Sequence, residues 1–383
     1  MWKYIPFAFK NSMRNRRRTL LTILSVGVSL FLLGTLISLY FAFYHREGPP
    51  EQALRVATRH KVSLTFPMPE FYVQRISQLP GVKTACPLSW YGGVYIDRRR
   101  PEHNFARFAT DAEKILLIRP ELKVDPAERA AFERERTAAA VGRSIAEMNG
   151  FRLDQKITLV GDIYPGNLEL TIRAIFEGPD DAVMYFHREY LEEGLPQRRK
   201  GLVGMVFSMT ESPEAVPRVA AAIDEMFRNA PQPTKSESER AFQLSWVGFL
   251  GNIKLILFSI SGAVTFAILL VAANTMAMSV RERIKEIGVM KTLGFTKGEV
   301  LAMIVAEAVM IAVVGGVLGC LLTVGLMGWA SKMPLIFGGG IHMPPAATSI
   351  NLVVAVVIGL ASSVVPAWNA ARLPITDALR HTG

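Results

Sequence analysis

VRERIKEIGVMKTLGFTKGEV, residues 280–300, is a charged stretch set between two long apolar runs, and its reading decides the architecture. Ile284, Ile287, Met290 and Leu293 recur at helical spacing, while Arg281, Arg283, Lys285, Glu286 and Lys291 fall largely elsewhere on the wheel. This pattern predicts a short amphipathic helix, stopped at Gly294. The flanking apolar runs, residues 255–278 and 301–329, can each cross a hydrocarbon core of about 30 Å at about 1.5 Å per helical residue. A helix pinned at both ends to membrane spans can pass a push from a soluble partner into the bilayer, so the stretch reads as a coupling element.

Working outward, two more runs of spanning length occupy residues 20–44 and 350–368. The expected fold is an α-helical membrane protein with four transmembrane helices and one large α+β extracytoplasmic insertion. The segments are an interfacial helix 1–18, a first span 19–44, the insertion 45–245, a stalk and second span 246–280, and the coupling loop 281–299. A third span 300–329, an external loop 330–349, a fourth span 350–368 and a C-terminal segment 369–383 follow. With 50% of its 383 residues hydrophobic, the chain is not an ordinary soluble enzyme.

The formal charge of +10 lies mostly beside the spans, which argues against a nucleic-acid partner. Lys3, Lys10, Arg14, Arg16, Arg17 and Arg18 precede the first run with no acid among them. Short loops rich in Lys and Arg stay in the cytoplasm, whereas a long domain translocates regardless of charge. Both termini and the 280–300 loop are therefore expected inside, and residues 45–245 outside, in a protein of the cytoplasmic membrane. The first run is too long for a signal peptide and lacks a small-residue cleavage site. Trp2, Ile5, Phe9 and Met13 share one face of residues 1–18, the pattern of a helix lying on membrane lipids. Cys86 falls in the external insertion and Cys320 within the third span, so the two are not expected to pair.

Within the insertion, the expected elements are a strand at 61–66, a helix at 69–79, strands at 82–85 and 93–97, and a helix at 126–149. A hairpin follows, with arms 155–160 and 168–176 about Pro165-Gly166-Asn167, then a strand at 204–209, a helix at 213–227 and a polar lead-out at 229–238. Strands mixed with helices of this length predict two small lobes. Residues 242–254 already read as helix, a stalk before the second span. Asn274 and Glu307 are intramembrane polar residues, and a buried carboxylate needs a partner such as Lys297 or Arg283. Gly315, Gly316 and Gly319 supply small residues for close helix packing, within one chain or between two.

Catalytic motifs are missing from the sequence. Gly294-Phe-Thr-Lys-Gly298 has the wrong spacing for a phosphate loop, the six histidines lack metal-ligand spacing, and no Gly-x-Ser-x-Gly elbow occurs. Neither enzymatic activity, nor a bound cofactor, nor a metal is expected of this chain. Arg98-Arg99-Arg100 reads as a solvated turn.

Asn274-Thr-Met-Ala-Met-Ser-Val280, running on through Arg281 to Gly294, closely resembles the signature of the MacB/FtsX-like permeases of ABC transporters. Glu307, Gly315-Gly316 to Gly319, the ending from Pro366 to Arg380 and the opening from Arg16 to Leu21 fit the same pattern. Val141-Gly142-Arg143-Ser-Ile-Ala146 is similar, more loosely, to the family's periplasmic core. The resemblance implies a permease that dimerises with a second copy and pairs with a separate ATPase subunit, which holds the ATP and Mg. ATP-driven closure inside would be relayed along stalk helices to the outer domain, a mechanotransmission that exports or extracts a substrate. ATPase contact would then fall to Arg281, Glu282, Arg283, Lys285, Glu286, Ile287, Gly288, Met290, Lys291 and Leu293, with Arg372 and Arg380 adding to it. Ile287, Met290 and Leu293 would be the apolar anchors. Some members carry a fused N-terminal ATPase, and this chain begins directly at the interfacial helix. Left open are the cargo, a periplasmic adaptor, and an FtsX-like alternative in which the same movement activates a cell-wall hydrolase.

Overall fold

The computed structural model describes residues 16–45, 48–97, 99–164, 166–179, 181–249, 253–330 and 342–380. Residues 1–15 of the interfacial helix expected at 1–18, and most of the loop expected at 330–349, lie outside them. The chain divides into two units, one of membrane-type helices and one α+β domain.

Helix α1 (Arg16–Tyr44) starts inside the basic run, and a 3-10 turn (Pro50–Leu54) follows it. The domain then runs β1 (Arg55–His60), β2 (Met68–Pro69), α2 (Phe71–Ser77), β3 (Val82–Trp90), β4 (Val94–Tyr95), β5 (Ala106–Thr110), α3 (Ala112–Ile118) and α4 (Pro126–Arg134). Next come β6 (Ala138–Gly142), α5 (Arg143–Asn149), β7 (Lys156–Val160), β8 (Asn167–Phe176), β9 (Val183–His187) and α6 (Arg188–Glu193). It closes with β10 (Leu202–Val203), β11 (Met205–Thr210), α7 (Ala215–Met226), β12 (Thr234–Ser238) and α8 (Glu239–Phe249).

Ten of these strands form one sheet in the order β12-β1-β11-β3-β5-β9-β6-β8-β7-β4, so the two expected lobes are the two ends of a single continuous sheet. The pairs β5/β9 and β6/β8 are parallel and the other pairings antiparallel. At one end, α2 and α7 cover a core that includes Tyr72, Ile76, Val206, Val219 and Ile223. At the other, α5 and α6 cover Val141, Ile145, Leu170, Ile172, Phe186 and Leu191.

Three sequence expectations fail here. The helix expected at 126–149 is α4, β6 and α5 in succession. Asp125 caps α4, its Oδ1 accepting from the Ala127 N–H at 2.8 Å with Pro126 at the first turn. Ala138–Gly142 is fully buried in the sheet, where small residues fit the crowded centre and tertiary packing overrides their helical propensity. A Cβ on Gly142 would fall 1.6 Å from Asp181 O. The strand expected at 61–66 is a turn, with the Val62 N–H donating to His60 Nδ1 at 3.1 Å. The real strand β1 precedes it and pairs on both sides, with β11 and β12, despite its Arg, Thr and His. Finally, the lead-out at 229–238 contributes the edge strand β12.

The membrane unit continues with α9 (Ile253–Glu282), α10 (Ile284–Thr292), α11 (Lys297–Ala330), α12 (Pro345–Arg372) and α13 (Ile375–Arg380). Among the described residues α1, α9, α11 and α12 are long and apolar enough to cross a membrane. The glycines of α11 settle the packing question in favour of contacts within one chain. A Cβ on Gly315 would lie 2.8 Å from Val26 Cγ1 and one on Gly319 2.8 Å from the Phe31 backbone nitrogen, both on α1. One on Gly316 would lie 2.9 Å from the Ala355 Cβ of α12. The three glycines thus let α11 approach both neighbours closely. Val26, Leu30, Leu33, Ile268, Ala272, Ala355 and Ile358 fill the space between α1, α9 and α12.

Candidate functional site

The coupling loop is built from strong local signals. Arg283 interrupts the helix between α9 and α10. At its far end α10 closes with a Schellman turn: Gly294 has φ +95°, the Phe295 N–H donates to Met290 O at 3.2 Å, and the Gly294 N–H to Lys291 O at 3.2 Å. Phe295 and Met290 pack into one apolar cluster, the contact that accompanies this motif. Thr296-Lys-Gly-Glu299 then starts α11 as a capping box. The Thr296 N–H donates to Glu299 Oε2 at 2.8 Å and the Glu299 N–H to Thr296 Oγ1 at 3.3 Å.

Two tethers hold α10 to the spans. Arg283 Nη1 donates to Glu307 Oε2 at 2.8 Å, an ion pair with little solvent exposure that joins the start of α10 to α11. Of the two cations considered for Glu307, Arg283 takes the place. Lys291 Nζ donates to Ala371 O and Leu373 O, each at 2.7 Å. Those carbonyls end α12, where a cation also meets the negative end of the helix dipole. Burial pushes the Lys291 ammonium pKa down, and Lys297 nearby adds to the shift.

The apolar stripe of α10 faces the chain rather than solvent. Ile287, only 4% exposed, sits with Val280, Val300 and Ala370, and Met290 packs on the same cluster. Ile284 and Gly288 are buried as well. Within the chain, buried Ile287 and Gly288 and half-buried Met290, all three in the expected contact set, pack α10 against the spans. Leu293 behaves differently, 74% exposed at the helix end. Arg281, Glu282, Lys285 and Thr292 are also exposed, together with Val289, which the sequence reading missed. Lys285, Val289 and Leu293 recur at spacings of four, a second stripe legible in the sequence once the first is known to be internal.

Along its length α10 packs on α13, which ends at Arg380. Arg372 is exposed at the end of α12, its guanidinium 4.3 Å above the Trp368 ring. Glu286 lines the small cavity between α9, α10 and α11 along with Arg283 and Glu307. Asn274 lies on the exposed face of α9, away from this cluster's buried side. No group of three or more metal-ligating side chains occurs among the described residues.

The FtsX-like permease C-terminal family matches residues 258–375, which contain the whole coupling loop. An uncharacterized ABC transporter permease of Methanocaldococcus jannaschii is 25% identical over 397 aligned positions, covering 98% of this chain and 97% of the relative. The macrolide export ATP-binding/permease protein MacB of Escherichia coli is 36% identical over 106 residues, covering 28% of this chain and 16% of that longer protein. Among solved structures, the periplasmic region of MacB from Actinobacillus actinomycetemcomitans aligns with 50% of this chain and 92% of its own, at 6% identity and a TM-score of 0.37. Residues 258–375 thus match the FtsX-like permease C-terminal family, and over nearly its whole length the chain is similar to a protein named as an ABC transporter permease.

Proposed function

We propose that the exposed face of α10, with Lys285, Val289 and Leu293 at its centre, docks on a separate ATPase subunit in the cytoplasm. The neighbouring Arg281, Glu282, Arg372 and Arg380 orient the contact. A greasy centre with a charged surround is the usual anatomy of a specific protein interface. The observation that carries this reading is the double tether of α10, Arg283 to Glu307 and Lys291 to the end of α12. A helix held only by its covalent ends would tilt and absorb a push, whereas one bolted to two spans passes the push on. In a dimer of two such chains, closure of the ATPase pair would move α11 and α12 together. That movement would reach the extracytoplasmic domain and act on a substrate there, by mechanotransmission.

The test is co-purification of the ATPase from membranes. Val289→Asp with Leu293→Asp should abolish the association while membrane insertion and dimer size stay unchanged, because neither side chain is packed inside the chain. Undiminished association would remove the docking assignment. Met290 is the wrong residue to change for this purpose, since its substitution would loosen the loop itself.

A further inference from the structure

The α+β domain carries a buried ionic cluster remote in sequence from the coupling loop. Arg55, at the first position of β1 and 1% exposed, donates through Nε to a carboxylate oxygen of Glu239, at the first position of α8. Its Nη1 donates to Glu121 Oε2 at 2.9 Å and to Ile118 O at 3.0 Å. Arg119 Nη2 donates to the second Glu239 oxygen at 3.0 Å, and Arg119 Nη1 lies 3.7 Å from Glu121 Oε1. Two cations thus face two carboxylates, none more than 12% exposed.

Well-packed apolar residues would hold three segments together at least as firmly, because each buried ion must be stripped of water. A directional ionic cluster adds a fixed geometry: it holds when all members are aligned and opens when one is displaced. The segments it joins are telling. β1 is the first strand after α1, and α8 is the last helix before α9, so Arg55 and Glu239 mark the two chain connections between this domain and the membrane helices. The third segment, 118–121, belongs to a stretch whose Leu117, Pro120, Leu122 and Val124 line an open groove of about 490 Å³ with Arg129 at its side.

We propose that Arg55, Arg119, Glu121 and Glu239 are positioning residues that hand a displacement of α8 to the wall of this groove. The proposal deepens the relay proposed above and rests on it for the source of the displacement. It assigns a defined exit point to the motion, the 116–124 segment, and predicts that the groove changes shape with the nucleotide state of the partner.

Hydrogen exchange of the full chain with its ATPase, in lipid nanodiscs with and without ATP and vanadate, tests it. In the unsubstituted protein, exchange across 116–124 should differ by about fivefold or more between the two states. In Glu239→Gln that difference should vanish while ATP turnover and the protection of β6 and β8 are retained. A merely structural cluster would loosen the domain equally in both states and leave the nucleotide-dependent difference intact. Arg119→Lys, which keeps the charge and loses the two-pronged geometry, provides the same comparison should Glu239→Gln fail to fold. The proposal is overturned if the difference survives in these variants. It is also overturned if 116–124 is silent in the unsubstituted protein while residues 281–293 respond to nucleotide. Silence in both segments, or failure of the ATPase to bind, overturns the relay itself and this proposal with it.

Discussion

Arg283 stands where α9 ends and α10 begins, and its carboxylate partner Glu307 sits on a membrane span. Removing one member of a buried pair leaves the other charge uncompensated, at a cost of about 3–5 kcal/mol. Glu307→Ala and Arg283→Ala should therefore each lower the unfolding temperature in detergent, and the double variant Arg283→Met with Glu307→Leu should lie nearer the parent than either single change. An acid-sensitive contact sits in the other unit. The hydrogen bond from Arg173 holds the Glu135 carboxyl below its ordinary value of 4.5. A carboxyl depressed in the folded state contributes stability above that ordinary value and loses it as pH falls through the folded one. Unfolding temperature followed from about pH 6 to pH 3 should fall on the acid side, and Arg173→Met should flatten that fall. At this scale the need for a partner at Glu307 was legible, because an intramembrane carboxylate cannot stay unpaired. The direction of Ile287 and Met290 was not. An amphipathic stripe reveals that one face is covered, and its period says nothing of whether the cover is the same chain or another.

At the scale of elements, the punctuation of the coupling loop was written in the sequence. Gly294 takes the left-handed conformation that ends α10, and Thr296 with Glu299 forms a capping box readable from residue type and spacing alone. Gly294→Ala should cost about 1–2 kcal/mol through backbone strain, seen as faster hydrogen exchange at the end of α10. The glycines of α11 were legible as a packing surface but not as to partner, since a small-residue stripe fits any close helix. Gly319→Ala would drive a methyl group against the backbone of Phe31 and Gly27. Such overpacking should cost about 1–3 kcal/mol, measured as a lower unfolding temperature, and should be worse for Gly319→Leu. β6 is the opposite case. Ala138-Ala-Ala-Val-Gly142 follows a helix and precedes one, carries no strand-like alternation, and becomes a strand only because β8 and β9 flank it.

For the whole molecule, the four spans were legible because length and apolarity suffice to define them. The continuous ten-stranded sheet was not, because pairings such as β1 with β11 and β12 join residues far apart in the chain. Membrane orientation and the docking of α10 are joined in one claim, that the loop between the second and third spans lies inside the cell under an ATPase. The most direct measurement is the reaction of Leu293→Cys with a membrane-impermeant maleimide. Background from Cys86 and Cys320 should be slight, both being buried and the Cys86 thiol pushed up to about 12 by burial. A cytoplasmic, ATPase-covered loop gives no labelling in intact cells, rapid labelling in inverted vesicles stripped of the ATPase, and protection when the ATPase is restored. Labelling in intact cells, or unchanged labelling after the ATPase is restored, would contradict the claim.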